Sequence, residues 1–282
     1  MKFLPLTPPT RTPLRVLTIG GSDSGGAAGI QADIRTFTLL GMHPLVAVTA
    51  VTVQNSLVVK DFHEVPAAIV AGQIEAVATD IGFQAAKTGM LASSEIIEAV
   101  ADTWRGLGQS GWGSEPPPFV VDPVCASLHG DSLLHPSALE TLRTSLFPLA
   151  SLVTPNLDEV RLLVGIDVVD GRSQRDAARA LHALGPTWTL VKGGHLRSAP
   201  DSQDVLYDGN DFYEFDAPRV GTTHDHGAGD TLGSAITCAL AHGQPMPNAV
   251  AFGKAWVTEC LRSAYPLGGG RGPVSALFRL GE

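Results

Sequence analysis

From residue 15 almost to the C-terminus, short apolar or β-branched runs alternate with longer segments of helical period. That alternation is the pattern of a parallel sheet covered by helices. Residues 15–19 read as a first strand, 20–27 as a glycine-rich turn, and 28–40 as a helix with Ile30, Ile34, Phe37 and Leu40 on one face. Further strands are expected at 45–53, 85–88, 119–122, 152–154 and 187–191, with helices at 66–78, 94–104, 157–164 and 173–184. Asp208-Gly209-Asn210, between 205–207 and 212–215, is a hairpin signal. Helices at 231–241 and 247–262 close the chain. The whole predicts an α/β protein, a three-layer α/β/α sandwich whose mostly parallel central sheet ends in an antiparallel edge hairpin. The proline-rich stretch 106–118 interrupts neither pattern and reads as a surface loop. One domain is therefore expected over 14–282, behind a flexible lead-in at 1–13.

Composition excludes several classes of function. The chain has 282 residues, 44% hydrophobic and only 17% charged, which suits a large packed core and not a disordered polymer. A formal charge of -9 argues against a general nucleic-acid binder, which needs a basic surface to displace counterions from phosphates. Cys125, Cys238 and Cys260 are odd in number and widely spaced, with no pair placed for zinc or a disulfide framework. A reducing, cytoplasmic setting is expected. No apolar run reaches the roughly 18 residues of a membrane span, and the N-terminus lacks a signal-peptide core.

The loops after the strands carry the chemistry, and in an open α/β sheet ligands collect at the carboxyl ends of the strands. His226-Gly227-Ala228-Gly229-Asp230-Thr231 joins a glycine turn and one carboxylate to the start of an apolar helix. Gly227, Ala228 and Gly229 could bring backbone N–H groups to an anion at the positive end of that helix. Asp230, ionised at neutral pH if unperturbed, could then accept a hydroxyl proton during phosphoryl transfer. After the first strand, 20–29 is rich in glycine yet fits neither a Walker sequence nor a dinucleotide turn, so it suits backbone wrapped around a small ligand. Asp122 ends another strand before Pro123. Asn156 and Glu159, three apart, suit either a water-mediated magnesium pair or a simple capping box. Lys192, before Gly193 and Gly194, could reach a phosphate or could be a solvated strand end.

In order along the chain, these segments resemble the hydroxymethylpyrimidine phosphate kinases of thiamin biosynthesis, members of the ribokinase-like fold. The matching stretches are 17–33, ending Gly29-Ile30-Gln31-Ala32-Asp33, then 49–56, 87–91, 120–124, 130–134, 153–159, 191–196 and 226–231. The resemblance implies ATP as donor, Mg²⁺ as cofactor and 4-amino-5-hydroxymethyl-2-methylpyrimidine or its monophosphate as acceptor. It places the pyrimidine among Gly21, Ala28, Asp33, Gln54, Met90 and Val124, with Asp33 and Gln54 reading the ring's edge. It assigns Lys192 to ATP phosphates and Lys254 and Ala255 to the adenine site. Asn156 and Glu159, with Asp122 beside them, would hold the magnesium shell, and Gly227–Gly229 the migrating group. A homodimer without nucleic-acid or membrane partners is expected.

One departure bears on mechanism. Kinases of this group typically read H-G-T-G-C, with cysteine where this chain has Asp230. Sugar and pyridoxal kinases of the same fold carry aspartate there, so pyridoxal kinase is the alternative enzyme and an inactive vitamin-precursor binder the third reading. Aspartate is a more available base than a thiol for a neutral hydroxyl. It gives no help to attack by a phosphate oxygen, so the second phosphorylation is expected to be the weaker one. His224, Asp225 and Ser127-Leu128-His129 also depart from the family pattern.

Overall fold

Val16, Leu17 and Ile19 expose no surface at all, as a strand buried on both faces requires. They belong to β1 (Arg15–Ser22), near the middle of a nine-stranded sheet in a computed structural model that describes residues 11–109, 116–125, 134, 137–194, 196 and 201–281. The other strands are β2 (His43–Gln54), β3 (Val59–Glu64), β4 (Ala85–Thr88), β5 (Phe119–Val121), β6 (Leu152–Val153), β7 (Thr189–Val191), β8 (Asp201–Tyr207) and β9 (Phe212–Pro218). Their spatial order is β3-β2-β1-β4-β5-β6-β7-β8-β9. The six central strands, β2 to β7 in that row, pair in parallel. The expected hairpin, β8 with β9, is antiparallel and caps one edge.

A second antiparallel edge, β3, has no counterpart among the expected strands. Val-Lys-Asp-Phe-His-Glu shows no apolar run, because an edge strand is better protected by charge than by hydrophobicity. The helix expected at 94–104 continues to Gln109, through Gly106 and Gly108, so the loop expected from residue 106 begins later. Residues 1–10, 110–115, 127–129, 130–133 and His195 lie outside the described residues.

Helices cover both faces. On one side lie α2 (Ala67–Asp80), α3 (Ser94–Gln109), α4 (Ala138–Thr141), α5 (Leu157–Val164) and α6 (Gly171–His182), burying Ile74, Ile97, Val160 and Leu181 against Leu17, Phe119 and Val191. On the other lie α1 (Gly29–Leu39), α7 (Ala228–Ala241) and α8 (Met246–Arg262), packing Phe37, Ile236 and Trp256 against Val16, Val120 and Leu190. Alternate residues of each strand thus serve opposite layers. No helix among the described residues is long and apolar enough to cross a membrane.

The chain runs from β1 to β2 on one side and then returns to place β4 on β1's other side. That reversal is the topological switch point where ligands bind in open sheets. A cavity of about 760 Å³ opens there, bordered by the loops after β1, β4, β5, β6 and β7.

Candidate active site

Gly227 caps α7 with φ of 78°, a left-handed conformation natural to glycine. A side-chain carbon there would lie 2.1 Å from the Ala27 carbonyl oxygen, so only glycine lets this turn press against the loop after β1. Of the N–H groups expected to face an anion, that of Ala228 bonds the Asp225 carbonyl at 3.1 Å. Those of Gly229 and Asp230 have no partner among the described residues and stand at the positive end of a helix buried continuously from Thr231 to Leu240. A side-chain carbon on Gly229 would point to within 3.5 Å of Lys192 Nζ and 3.7 Å of Asp122 Oδ2, without backbone strain. Gly229→Ala is therefore expected to fold normally and to lose about 10²-fold in kcat, since small misplacements at a transfer site have costs of that order. Circular dichroism and steady-state kinetics check both halves of this expectation.

Asp230 sits in the first turn of α7 and lines the cavity. Burial pushes its carboxyl up to about 7, opposed first by Lys87 and reinforced by Asp33 and Asp122. Its surroundings thus raise its affinity for a proton above that of an unperturbed carboxylate. Behind it lies Lys87 of β4, whose Nζ is 3.7 Å from Asp230 Oδ1 and 2.6 Å from Asp33 Oδ1. Burial alone would lower the lysine's affinity for its proton, but Asp33, Asp230 and Asp122 together raise it.

This network corrects the role expected of Asp33. Its carboxylate is 1% exposed, does not line the cavity, and accepts from Thr18 Oγ1, Lys87 Nζ and Ser234 Oγ, each at 2.6 Å. An acid on the inner face of α1 is committed to the layer beneath the site and leaves no oxygen for a ligand's edge.

Lys192 leaves β7 and reaches Asp122 Oδ1 at 2.9 Å, while Thr154 Oγ1 donates to the same oxygen at 3.1 Å. Burial would lower its basicity; Asp122, then Glu159 and Asp230, outweigh burial and hold the ammonium at about 12. Asn156 and Glu159 form the reciprocal capping box of α5: Glu159 N–H donates to Asn156 Oδ1 at 2.9 Å, and Asn156 N–H to Glu159 Oε2 at 2.7 Å. Both nonetheless face the cavity, and burial pushes Glu159 up to about 8, with Lys192 opposing and Asp122 adding to the rise. Among the described residues, no three His, Cys, Asp or Glu side chains converge on one metal position. Asp122, Glu159 and Asn156 line the same cavity, and their carboxylate and amide oxygens are the donor types that a divalent cation beside phosphates takes through its retained waters.

Farther along the cavity, Lys254 of α8 pairs with Asp204 Oδ2 at 2.8 Å and Ser202 Oγ at 2.9 Å. Ala255 does not line this cavity and faces the adjoining one between β9 and α8. One step along a helix turns a side chain by about 100°, which separates it from Lys254. Asp204, which also accepts from Gly193 N–H at 2.8 Å, is a cavity residue that no sequence motif marks.

At the opposite end, Gly21, Ala28, Gln54, Met90 and Val124 line the cavity. Gly21 lies under Met90, its missing side-chain carbon 3.1 Å from Sδ. Asp23 joins them and ties the glycine loop together, accepting from Gly25 N–H at 2.7 Å, Ala27 N–H at 2.9 Å and Ala28 N–H at 2.8 Å. His226 also reaches this end, with Nε2 3.3 Å from Gln54 Nε2.

The phosphomethylpyrimidine kinase family model matches residues 23–275. A hydroxymethylpyrimidine/phosphomethylpyrimidine kinase of Mycobacterium tuberculosis is 69% identical over 280 residues, covering 99% of this chain and 100% of the relative. Among solved structures, pyridoxal kinase from Staphylococcus aureus in complex with AMP-PCP and pyridoxal superposes with a TM-score of 0.83 at 32% identity, covering 93% of each chain. Phosphomethylpyrimidine kinase from Clostridium difficile superposes with a TM-score of 0.76 at 36% identity, covering 87% of this chain and 98% of the other.

Proposed function

The chain belongs to the phosphomethylpyrimidine kinase family, and from that premise we propose that Asp230 takes the hydroxyl proton as 4-amino-5-hydroxymethyl-2-methylpyrimidine attacks the terminal phosphorus of ATP. The observation that carries this reading is the position of Asp230: on the cavity wall, in the turn that offers the N–H groups of Gly229 and Asp230. The pyrimidine lies against Gly21, Ala28, Gln54, Met90 and Val124, and the triphosphate extends past Lys192 toward Lys254. As the bond to the leaving oxygen breaks, Lys192 and the α7 N-terminus stabilise the charge on the migrating phosphoryl group. The product monophosphate can serve as acceptor in a second round, giving the diphosphate used in thiamin synthesis. Residues 14–282 act as one kinase domain, with a homodimer as the working assembly.

Asp122, Glu159 and Asn156 are the groups that would hold Mg²⁺, which neutralises phosphate charge when bound. Glu159→Gln is expected to keep α5 capped, because the amide still accepts from Asn156 N–H. It should raise the Mg²⁺ concentration for half-maximal activity by about tenfold, the low end for a lost metal-holding group. A magnesium titration of initial rates at saturating ATP measures this.

The acceptor is tested by incubating the protein with Mg-ATP and, separately, the hydroxymethylpyrimidine, its monophosphate and pyridoxal, with product masses read out. Pyrimidine mono- and diphosphate are the expected products. Phosphorylation of pyridoxal alone would establish the alternative enzyme, and no turnover with any acceptor would leave a binding protein.

A further inference from the structure

Gln54 stands in the acceptor wall with its backbone held on both sides by one hydroxyl. Its N–H donates to Ser24 Oγ at 2.8 Å, and its carbonyl accepts from Ser24 Oγ at 2.7 Å. His226 is equally fixed: its N–H donates to the Gly272 carbonyl, its carbonyl accepts from Val274 N–H, and the residue is 6% exposed. Their side chains meet nitrogen to nitrogen at 3.3 Å. An amide nitrogen carries two hydrogens and accepts none, so this contact is a hydrogen bond when the ring Nε2 is unprotonated. Asp23 Oδ2 lies 3.8 Å from the same ring nitrogen and accepts from the N–H groups of Ala27 and Ala28.

We propose that His226 is the positioning residue that sets acceptor specificity, by fixing which way round the Gln54 amide faces the cavity. One amide hydrogen is committed to the ring. The other, together with Oε1, forms a donor and acceptor edge toward the ligand. That edge is complementary to an aminopyrimidine, whose ring nitrogen N3 accepts and whose adjacent amino group donates. Such bidentate amide reading of a nitrogen and amino edge is how glutamine recognises adenine. Pyridoxal reverses the order: a hydroxyl that can donate stands where the pyrimidine accepts, and a formyl oxygen that can only accept stands where the amino group donates. Accommodating the formyl oxygen requires the amide to turn over, which places Oε1 against Nε2 of His226, two acceptors in contact while the ring carries its proton on Nδ1. With Asp33 withdrawn beneath the wall, Gln54 carries this discrimination.

The inference rests on the aminopyrimidine acceptor proposed above, and the experiment separates the two. Initial rates with ATP give the ratio of kcat/KM for the hydroxymethylpyrimidine over pyridoxal in the unaltered protein, His226→Leu and His226→Gln. His226→Leu is expected to lower the ratio by about tenfold or more, chiefly through a raised KM for the pyrimidine. His226→Gln, whose amide oxygen can take the same hydrogen, should keep the ratio within a few-fold. Ring ¹⁵N shifts of His226 in the unaltered protein give an independent reading that needs no variant, with Nε2 expected to be unprotonated. An Nε2 that carries the proton, or an unchanged ratio in folded His226→Leu, overturns the proposal. An unaltered protein that prefers pyridoxal, or phosphorylates neither compound, overturns the acceptor assignment itself.

Discussion

Asp230→Asn is expected to lower kcat for the hydroxymethyl acceptor by about 10²- to 10⁴-fold, the usual contribution of a general base, while the monophosphate acceptor loses far less. A neutral hydroxyl must shed its proton to attack, whereas a phosphate oxygen is already anionic and gains nothing from the carboxylate. Removing a negative charge beside that phosphate can even favour the second step. The two acceptors share the donor site, so the comparison cancels any general damage to ATP binding. Equal losses on both would make Asp230 a structural member of the turn. The same group shapes the pH profile. Because burial raises it to about 7, the base form is lost as pH falls through that value, and kcat/KM for the hydroxymethyl acceptor should drop about tenfold per unit below it. Stability moves oppositely. A carboxyl raised in the folded state contributes fully only below its unfolded value, and that contribution is lost as pH rises toward about 7. Asp230→Asn should therefore melt higher than the unaltered protein at pH 8, with the difference shrinking toward pH 4.

The parts of this architecture that were legible in the sequence depend on local pattern. β5 is an uninterrupted apolar run ended by Asp122-Pro123, β1 is apolar from Val16 to Ile19 and runs into glycines, and α5 carries its apolar face within eight residues behind the cap Asn156. Loops that follow parallel strands share one end of the sheet, which is why the sequence alone groups Gly21, Met90, Asp122, Asn156 and Lys192, and they do border one cavity. What escaped depends on distant partners. Lys87 is an ordinary lysine until Asp33, 54 residues away, is placed against it. His226 and Gln54 are separated by 172 residues and Lys254 and Asp204 by 50. Asp33 shows the reverse error: an acid on an amphipathic helix can face ligand or core, and only its depth beneath Asp230 decides. The proton affinity of Asp230 depends on distant partners in the same way, since the residue itself sets only the starting value and burial with Lys87 and Asp33 the direction of the shift.

Lys87→Met tests that hidden layer and is expected to destabilise the fold by about 3–5 kcal/mol in urea unfolding, the range for removing one partner of a buried ion pair. Lys87 is wholly buried, and without it Asp33 keeps only the hydroxyls of Thr18 and Ser234, leaving a carboxylate uncompensated between α1, α7 and the sheet. Adding Asp33→Asn should recover most of the loss, because the amide has no charge to leave unpaired: its oxygen accepts from one of the two hydroxyls that now bond different oxygens of Asp33, and its NH2 donates to the other. If the double variant is as unstable as the single one, the lysine's alkyl chain, packed under Gly233, is what matters. The rescued double variant then isolates the lysine's effect on catalysis. Lys87 is the first opponent of the rise in Asp230, so its removal together with Asp33 leaves burial opposed mainly by the Gly29 backbone bond. The fall in kcat/KM should consequently begin at a higher pH than in the unaltered protein. A limb that stays in place would mean that the loss of Asp33's charge offsets the loss of the lysine, and that the pair acts on Asp230 as a neutral unit.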